Sequence, residues 1–283
     1  MKIQFKVMML CAGMLSLVLV SCRKDKDPEL RDEDTGSAVE YAVADNAFND
    51  VVAISDEAYD GTLDSYRTSS SAKIMTTCAT VTFDTSSSPK SLTIDFGTTD
   101  CLCIDGNYRR GKIIVSWTGP YRDSGSVRTI TFDDYFVNYN QLLGTKTVTN
   151  AGTNGSGHPV FSVSVNGSII WDSAYYGGGG ISTYTSTRTR EWIAGYTTID
   201  WLDDVYLISG TASGVTRTGT SYTMSTSEAL KKEIGFRHFT DGTLNFKPSG
   251  KYTRTIDYGY VNGAQDDLAQ VTINGYSFLV HLK

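Results

Sequence analysis

The chain has 283 residues, with 25 basic and 31 acidic side chains and a formal net charge of −6. Its basic residues alternate with acids, as in Arg188, Arg190 and Glu191, and form no stripe of the kind that binds phosphate backbones. We therefore expect no nucleic-acid partner. The length suits one large β domain or two small ones.

The first segment predicts a lipoprotein signal peptide. Two lysines form a positive start, and Val7 to Val20 form an apolar stretch that is too short to span a bilayer. The run Leu19-Val20-Ser21-Cys22 that closes it resembles a bacterial lipobox, in which the cysteine is acylated after cleavage. We expect removal of residues 1–21 and a lipid anchor on Cys22. The acyl chains would hold the protein at the outer membrane, on its periplasmic or cell-surface face.

Residues 22–36 predict a lipidated, charged tether. From Arg23 to Asp34 the chain carries four basic and six acidic side chains, and it cannot bury enough apolar area to offset the entropy of ordering. Acids just after the lipidated cysteine resemble the surface-export signals of Bacteroidota lipoproteins. The alternative is a tail that carries no such signal.

Residues 37–61 predict an amphipathic helix. Ser37 to Glu40 has the pattern of a capping box, and Gly61 is the expected end. Apolar residues follow at helical spacing, and they form a stripe that should pack on the protein's own sheet: Tyr41, Ala44, Phe48, Val51, Ile54 and Ala58. The acids and amides between them are expected to face water: Asp45, Asn49, Asp56 and Glu57.

Residues 62–283 predict one antiparallel β domain. Short runs rich in Thr, Val, Ile and Tyr alternate with glycine and aspartate, and Asn166-Gly167 and Asn274-Gly275 have the composition of two-residue hairpin turns. The fold class is all-β, with one N-terminal amphipathic helix. The architecture is either an antiparallel β-sandwich, which we favour, or a half-barrel-like meander.

The exported part contains three cysteines, Cys78, Cys101 and Cys103. Outside the cytoplasm the simplest expectation is one disulfide, from Cys78 to Cys101 or to Cys103, with a weak preference for Cys101. The three histidines are scattered and lack zinc-ligand spacing, so we expect no metal and no cofactor.

No catalytic constellation is evident in the sequence, and we expect no enzymatic activity. There is no Gly-x-Ser-x-Gly elbow, and the adjacent acids of Asp133-Asp134 and Asp203-Asp204 would point to opposite faces of a strand. Four aromatic residues could instead form a ligand platform, although core packing would also explain them: Trp171, Tyr175, Tyr176 and Trp192.

Several segments together resemble a lipoprotein family of Bacteroidota to which no activity is attached: Asp95–Gly97, Cys101–Cys103, Asp105-Gly106, Arg109–Ile113, Gly144–Asn150, Thr187–Trp192 and Val271–Gly275. The resemblance spans nearly the whole chain and implies export and an all-β body, with no catalytic residue. Family members typically carry a second cysteine pair near the C-terminus. The matching positions here are Phe236 and Gln265, so that pair is absent.

These observations predict a lipid-anchored envelope protein with a non-enzymatic binding or scaffolding role. Its partners would be the membrane, through the acyl chains on Cys22, and an envelope protein, a glycan or a lipid. A glycan- or lipid-binding surface module is the first alternative. A hydrolase is the second.

Overall fold

The computed structural model describes residues 32–63, 76–174, 178–198, 201–260 and 267–282. One helix, α1 (Gly36–Leu63), precedes the strands, and a 3-10 turn covers Trp201–Asp203. No helix in these ranges is long and apolar enough to cross a membrane. The strands are β1 (Thr80–Asp84), β2 (Lys90–Asp95), β3 (Cys101–Leu102), β4 (Tyr108–Trp117), β5 (Val127–Val137), β6 (Asn140–Thr153), β7 (Pro159–Trp171), β8 (Gly180–Ala194), β9 (Val205–Val215), β10 (Ser221–Glu233), β11 (Asp241–Pro248), β12 (Arg254–Asp257), β13 (Leu268–Ile273) and β14 (Tyr276–His281).

All strands in the described ranges belong to one 14-stranded antiparallel sheet, which is not closed. Each strand pairs with the next along the chain, except that β2 pairs with β4, and the short β3 pairs with β4 beside it. The all-β class with one N-terminal helix is therefore confirmed. Of the two architectures, the favoured sandwich is wrong and the open meander is correct, because the pairing continues from strand to strand without a break that would begin a second sheet.

Helix α1 runs across the inner face of this sheet. Tyr41, near its start, packs on Tyr184 of β8 and Phe246 of β11, with ring centroids 6.1 and 5.3 Å away. Tyr59, near its end, packs on Phe83 of β1 at 5.9 Å. The predicted docking of the apolar stripe on the protein's own sheet is confirmed.

The sheet also curves around the helix. Phe48 contacts Phe132 of β5, whereas Asp50 pairs with Lys232 of β10. Residues two apart point to nearly opposite sides of a helix, so strands cover both sides of α1.

The acids of α1 are consequently not turned to water, and that expectation is wrong. Asp45 and Glu57 are buried, and Asp56 is half-buried. The reason is that each acid finds a partner inside the fold. Arg188 and Arg128 of the sheet pair with Asp45 and Asp56, and the Thr76 amide and hydroxyl donate to Glu57.

The predicted capping box does not form at the start of α1. The Ser37 hydroxyl has no hydrogen-bond partner within the described ranges, and Asp34 Oδ1 accepts from the Gly36 amide at 3.0 Å. Glu40 accepts instead from the Arg217 amide at 2.7 Å, because the sheet lies close to this turn. The helix also continues past Gly61 to Leu63, since a glycine weakens a helix without having to end it.

One of the two predicted hairpin turns is confirmed. Asn274 and Gly275 adopt positive φ angles of 47° and 84° between the paired residues Ile273 and Tyr276. Asn166-Gly167 is not a turn, because it lies inside β7 and pairs with strands on both sides. Neighbouring strands override the local turn preference there.

Strand β10 was not predicted from the sequence. Its second half, from Glu228 to Lys232, contains Ala, Leu and Lys, which favour helix. It is a strand because β9 and β11 hydrogen-bond to its two edges. Tertiary pairing outweighs local propensity in this segment.

Candidate functional site

Three of the predicted site residues lie outside the described residues: Cys22, Tyr175 and Tyr176. The others are Cys78, Cys101, Cys103, Trp171 and Trp192. They fall into a disulfide region at the β3–β4 edge and a hairpin in the middle of the sheet.

Cys78 and Cys101 form a disulfide, and their Cα atoms are 6.3 Å apart. The preference for Cys101 over Cys103 is therefore confirmed. Cys103 is free and buried, and burial raises the pKa of its thiol. Beside it Arg109 forms a bidentate pair with Asp105 at 2.8 and 2.6 Å. The disulfide and the ion pair therefore have a structural role in this region. The Cys103 thiol is unreactive because it stays protonated and buried.

The two tryptophans are not brought together. Trp171 is 3% exposed and Trp192 is 4% exposed. Trp171 pairs with Gly180 at one end of the β7–β8 hairpin, and Glu191, next to Trp192, pairs with Val160 at the other. The indole of Trp171 donates to Ser182, and that of Trp192 donates to Asp204. These two rings pack and orient the hairpin, and they do not share an exposed face.

Near these rings, the carboxyl group of Asp204 has a strongly raised pKa. Its carboxylate accepts from Trp192 Nε1 at 3.0 Å and from the Tyr206 hydroxyl at 2.9 Å, and burial raises its pKa to about 7. Both carboxylate oxygens are used by core side chains, so this acid stabilises the hairpin end. Within the described ranges no group of three or more His, Cys, Asp or Glu side chains could hold a metal ion.

The outer face of the sheet carries an unbroken row of hydroxyl and amide side chains. Each member pairs directly with the next across the sheet, and together they represent every strand from β2 to β14 apart from β3. The row, which we call the hydroxyl row, consists of Ser91, Ser116, Thr129, Thr147, Ser164, Thr187, Thr211, Ser225, Asn245, Thr255, Thr272 and Ser277. Adjacent members are spaced by the distance between strands, about 4.8 Å.

The outer face is hollowed where the row crosses β8 to β11. This depression, which we call the hydroxyl trough, has a volume of about 780 Å³, within the range of small-molecule sites. The residues that line it are mainly threonines and serines, with one asparagine and one lysine: Thr185, Ser186, Thr187, Thr211, Ala212, Ser213, Thr223, Met224, Ser225, Asn245, Lys247 and Thr253. Ser186, Ala212 and Met224 are buried, because their side chains alternate with the outward-facing ones and point to the inner face.

Side chains, and not backbone groups, are available to bind a ligand in the trough. Strands β8 to β11 are hydrogen-bonded in series, so their amides and carbonyls are mostly engaged in the ladder. Each threonine or serine hydroxyl can donate one hydrogen bond and accept two, and Asn245 offers both functions as well. The arrangement can therefore satisfy many closely spaced polar groups of a ligand at once.

Sequence reasoning missed the trough. A signal was present, because threonine occupies every second position from Thr183 to Thr189 on β8. Alternation alone shows that one face of one strand is polar. The register of β8 with β9, β10 and β11 was needed to place those hydroxyls beside Ser213, Ser225 and Asn245.

Comparison of the chain with family models, with curated proteins and with solved structures gives no match.

Proposed function

We propose that the protein is a lipid-anchored envelope protein with a non-enzymatic binding role, and that the hydroxyl trough binds a glycan. In this proposal Cys22 carries the acyl chains, residues 22–36 form the tether, and the chain is a relative of Bacteroidota surface lipoproteins. The trough is the observation that carries the proposal, because its volume and lining suit a polyhydroxylated ligand.

The chemistry of the trough favours a glycan over a lipid. Facing pairs such as Thr187 and Thr211, or Ser225 and Asn245, present donors and acceptors to sugar hydroxyls. Lys247 adds one positive charge that would favour a glycan with acidic substituents.

The inner face of the sheet is the place where a curved sheet could enclose a lipid chain. Helix α1 packs there, with Tyr41, Phe48 and Ile54 each no more than 1% exposed. A lipid would have to displace these contacts and the buried ion pairs of the helix. The inner face therefore favours a stable core, and ligand binding is assigned to the outer face.

Affinity electrophoresis tests the proposal. The full chain, purified in detergent, is run in native gels containing glucan, mannan, xylan or arabinogalactan. We expect at least one polysaccharide to retard it. Thr187→Val with Thr211→Val removes two facing hydroxyls and keeps β-branched side chains. This change should weaken binding about tenfold, because each neutral hydrogen bond contributes roughly 0.5–1.5 kcal/mol.

The matched control is Thr82→Val with Thr93→Val, a facing pair on the outer side of β1 and β2 that lies outside the trough. This control should be retarded as strongly as the wild type. Equal retardation of all three proteins would contradict binding in the trough. If no polysaccharide retards the wild type, a glycan ligand is excluded for that panel and the glycan proposal fails.

A further inference from the structure

A small cavity lies between α1 and the inner face of the sheet, surrounded by positive charge. Its volume is about 20 Å³. The lining includes four cationic side chains, each no more than 6% exposed: Lys146 of β6, Arg188 and Arg190 of β8, and Lys232 of β10. Four buried cations around one cavity would repel one another strongly unless negative charge balances them.

The carboxylates nearby balance only part of this charge. Asp45 pairs with Arg188 at 2.7 Å, and Asp50 pairs with Lys232 at 3.4 Å. Lys146 donates to the Phe48 carbonyl oxygen at 2.7 Å, which is a dipole and not a charge.

Arg190 is the second cation of the cavity without a paired carboxylate. Its guanidinium lies 3.4 Å from the centre of the Tyr206 ring. Asp56 and Asp204 act on it electrostatically, but neither forms an ion pair with it within the described residues. Arg190 therefore carries a positive charge that no carboxylate pairs with. Lys146 adds a second such charge when it is protonated, and burial lowers the pKa of its ammonium group to about 7.

Unused donors accompany this unpaired charge. Nε and Nη1 of Arg188 and Nη1 of Arg190 are buried and have no hydrogen-bond partner in the described part of the chain. A buried donor without a partner destabilises the folded protein, and more strongly when the group is charged. Asp45 Oδ2, beside Arg188, also lacks a partner in the described residues, so the surroundings of the cavity hold three unused donors and one unused acceptor. A bound acceptor would satisfy donors of these two arginines.

We propose that this cavity binds a single small anion of chloride size. A buried water needs about 10–15 Å³, so a cavity of about 20 Å³ has room for one monatomic anion. The anion accepts hydrogen bonds from Arg188 and Arg190 and offsets the unpaired charge of Arg190, together with that of Lys146 when it is protonated. It would stabilise the packing of α1 against the sheet.

Thermal unfolding in bromide tests the proposal. The full chain in detergent is unfolded in increasing sodium bromide, with sodium methanesulfonate keeping the ionic strength constant, because methanesulfonate is a polyatomic anion much larger than a halide. We expect the Tm to rise with the logarithm of bromide concentration, as it does for a ligand that binds only the folded state. Arg190→Gln should raise the apparent Kd for bromide about tenfold or more, the loss expected for one charge-assisted hydrogen bond.

Two further variants keep the test decisive. Lys90→Gln removes one positive charge from an exposed position and should respond to bromide like the wild type. Val163→Ile adds a methyl group to a lining residue without changing any charge, and should weaken the response even if Arg190→Gln does not fold. Anomalous diffraction from a crystal grown in bromide should show a peak beside the two arginines. Equal Tm values in bromide and methanesulfonate, or the absence of that peak, would overturn the proposal.

Discussion

Arg188 of β8 and Asp45 of α1 form a buried ion pair that joins the helix to the sheet. Nη2 of Arg188 lies 2.7 Å from Oδ1 of Asp45, and the two side chains are 2% and 0% exposed. The same Nη2 donates to the Tyr41 hydroxyl at 2.6 Å, and the Tyr184 hydroxyl donates to the same carboxylate. The charges of this pair are therefore neutralised within the protein and not by water.

Removal of one member of this pair should destabilise the fold strongly. Arg188→Met leaves the Asp45 carboxylate buried without a counter-charge, and we expect a loss of about 3–5 kcal/mol in the free energy of unfolding. Asp45→Leu added to Arg188→Met should recover much of that loss, because no unpaired charge remains. Urea unfolding of the single and double variants measures the coupling between the two residues. Lys231→Met, which breaks the more exposed pair with Glu233, is the control and should cost at most about 1 kcal/mol.

Phe48 and Gly167 are fitted to each other where α1 crosses β7. A Cβ at Gly167 would lie 2.5 Å from Cζ of Phe48. Phe48→Ala should cost about 3–5 kcal/mol, and Gly167→Ala about 1–3 kcal/mol through overpacking. Gly167→Ala should cost less in the Phe48→Ala background, because the clash with the ring is then gone, but part of the cost should remain because the Leu143 carbonyl oxygen would still lie 2.8 Å from the new Cβ. Gly155→Ala, at an open position, serves as the control. An unchanged Tm for Phe48→Ala would mean that the helix is not docked.

Lys146 should give the stability a distinct pH dependence. Burial, with Arg190 and Arg188 nearby, lowers the pKa of its ammonium group to about 7, against about 10.4 in an unfolded chain. Between these values the unfolded chain binds a proton that the folded protein does not. The free energy of unfolding contributed by this group therefore rises from about pH 7 towards pH 10 and is constant below pH 7.

Comparison of the wild type with Lys146→Met isolates this contribution from other titrating groups, such as Asp204 with its raised pKa. The wild-type free energy of unfolding should increase relative to that of the variant, by at most about 1.4 kcal/mol for each pH unit above 7. Urea unfolding at pH 6.5, 8 and 9.5 measures it. A difference that stays constant over this range would show that the lysine keeps its ordinary pKa.

The cysteine chemistry can be checked by mass mapping. A non-reduced digest should contain a peptide that links Cys78 to Cys101. Cys103, which is buried and has a raised pKa, should react with iodoacetamide slowly in the native protein and rapidly in urea. Rapid alkylation of Cys78 without reductant would contradict the disulfide.

The sequence predicted the elements whose signals are local. The helix follows from the spacing of Tyr41, Phe48 and Ile54, and the Asn274-Gly275 turn from the positive φ angles that these residues tolerate. The disulfide followed from the export prediction and the cysteine count.

Features that depend on contacts between residues far apart in the chain could not be predicted from local sequence patterns. The burial of Asp45 depends on Arg188, which is far away along the chain and opposite only because the sheet curves. The trough exists only in the register that places Thr187 beside Thr211 and Ser225. The local sequence pattern shows that Asp45 and Thr187 are polar. Only the tertiary structure shows which residues lie next to them.

Capture of polysaccharide by washed membranes tests most directly the claim of an anchored binding protein. Membranes are prepared from cells that produce the wild type, Cys22→Ser, or the Thr187→Val and Thr211→Val pair, and are mixed with the polysaccharide that retards the purified protein. Wild-type membranes should retain it. Cys22→Ser membranes should lack both protein and polysaccharide, and membranes with the trough variant should keep the protein but retain much less polysaccharide. Protein that pellets with membranes after Cys22→Ser, or equal capture by the trough variant, would contradict the claim.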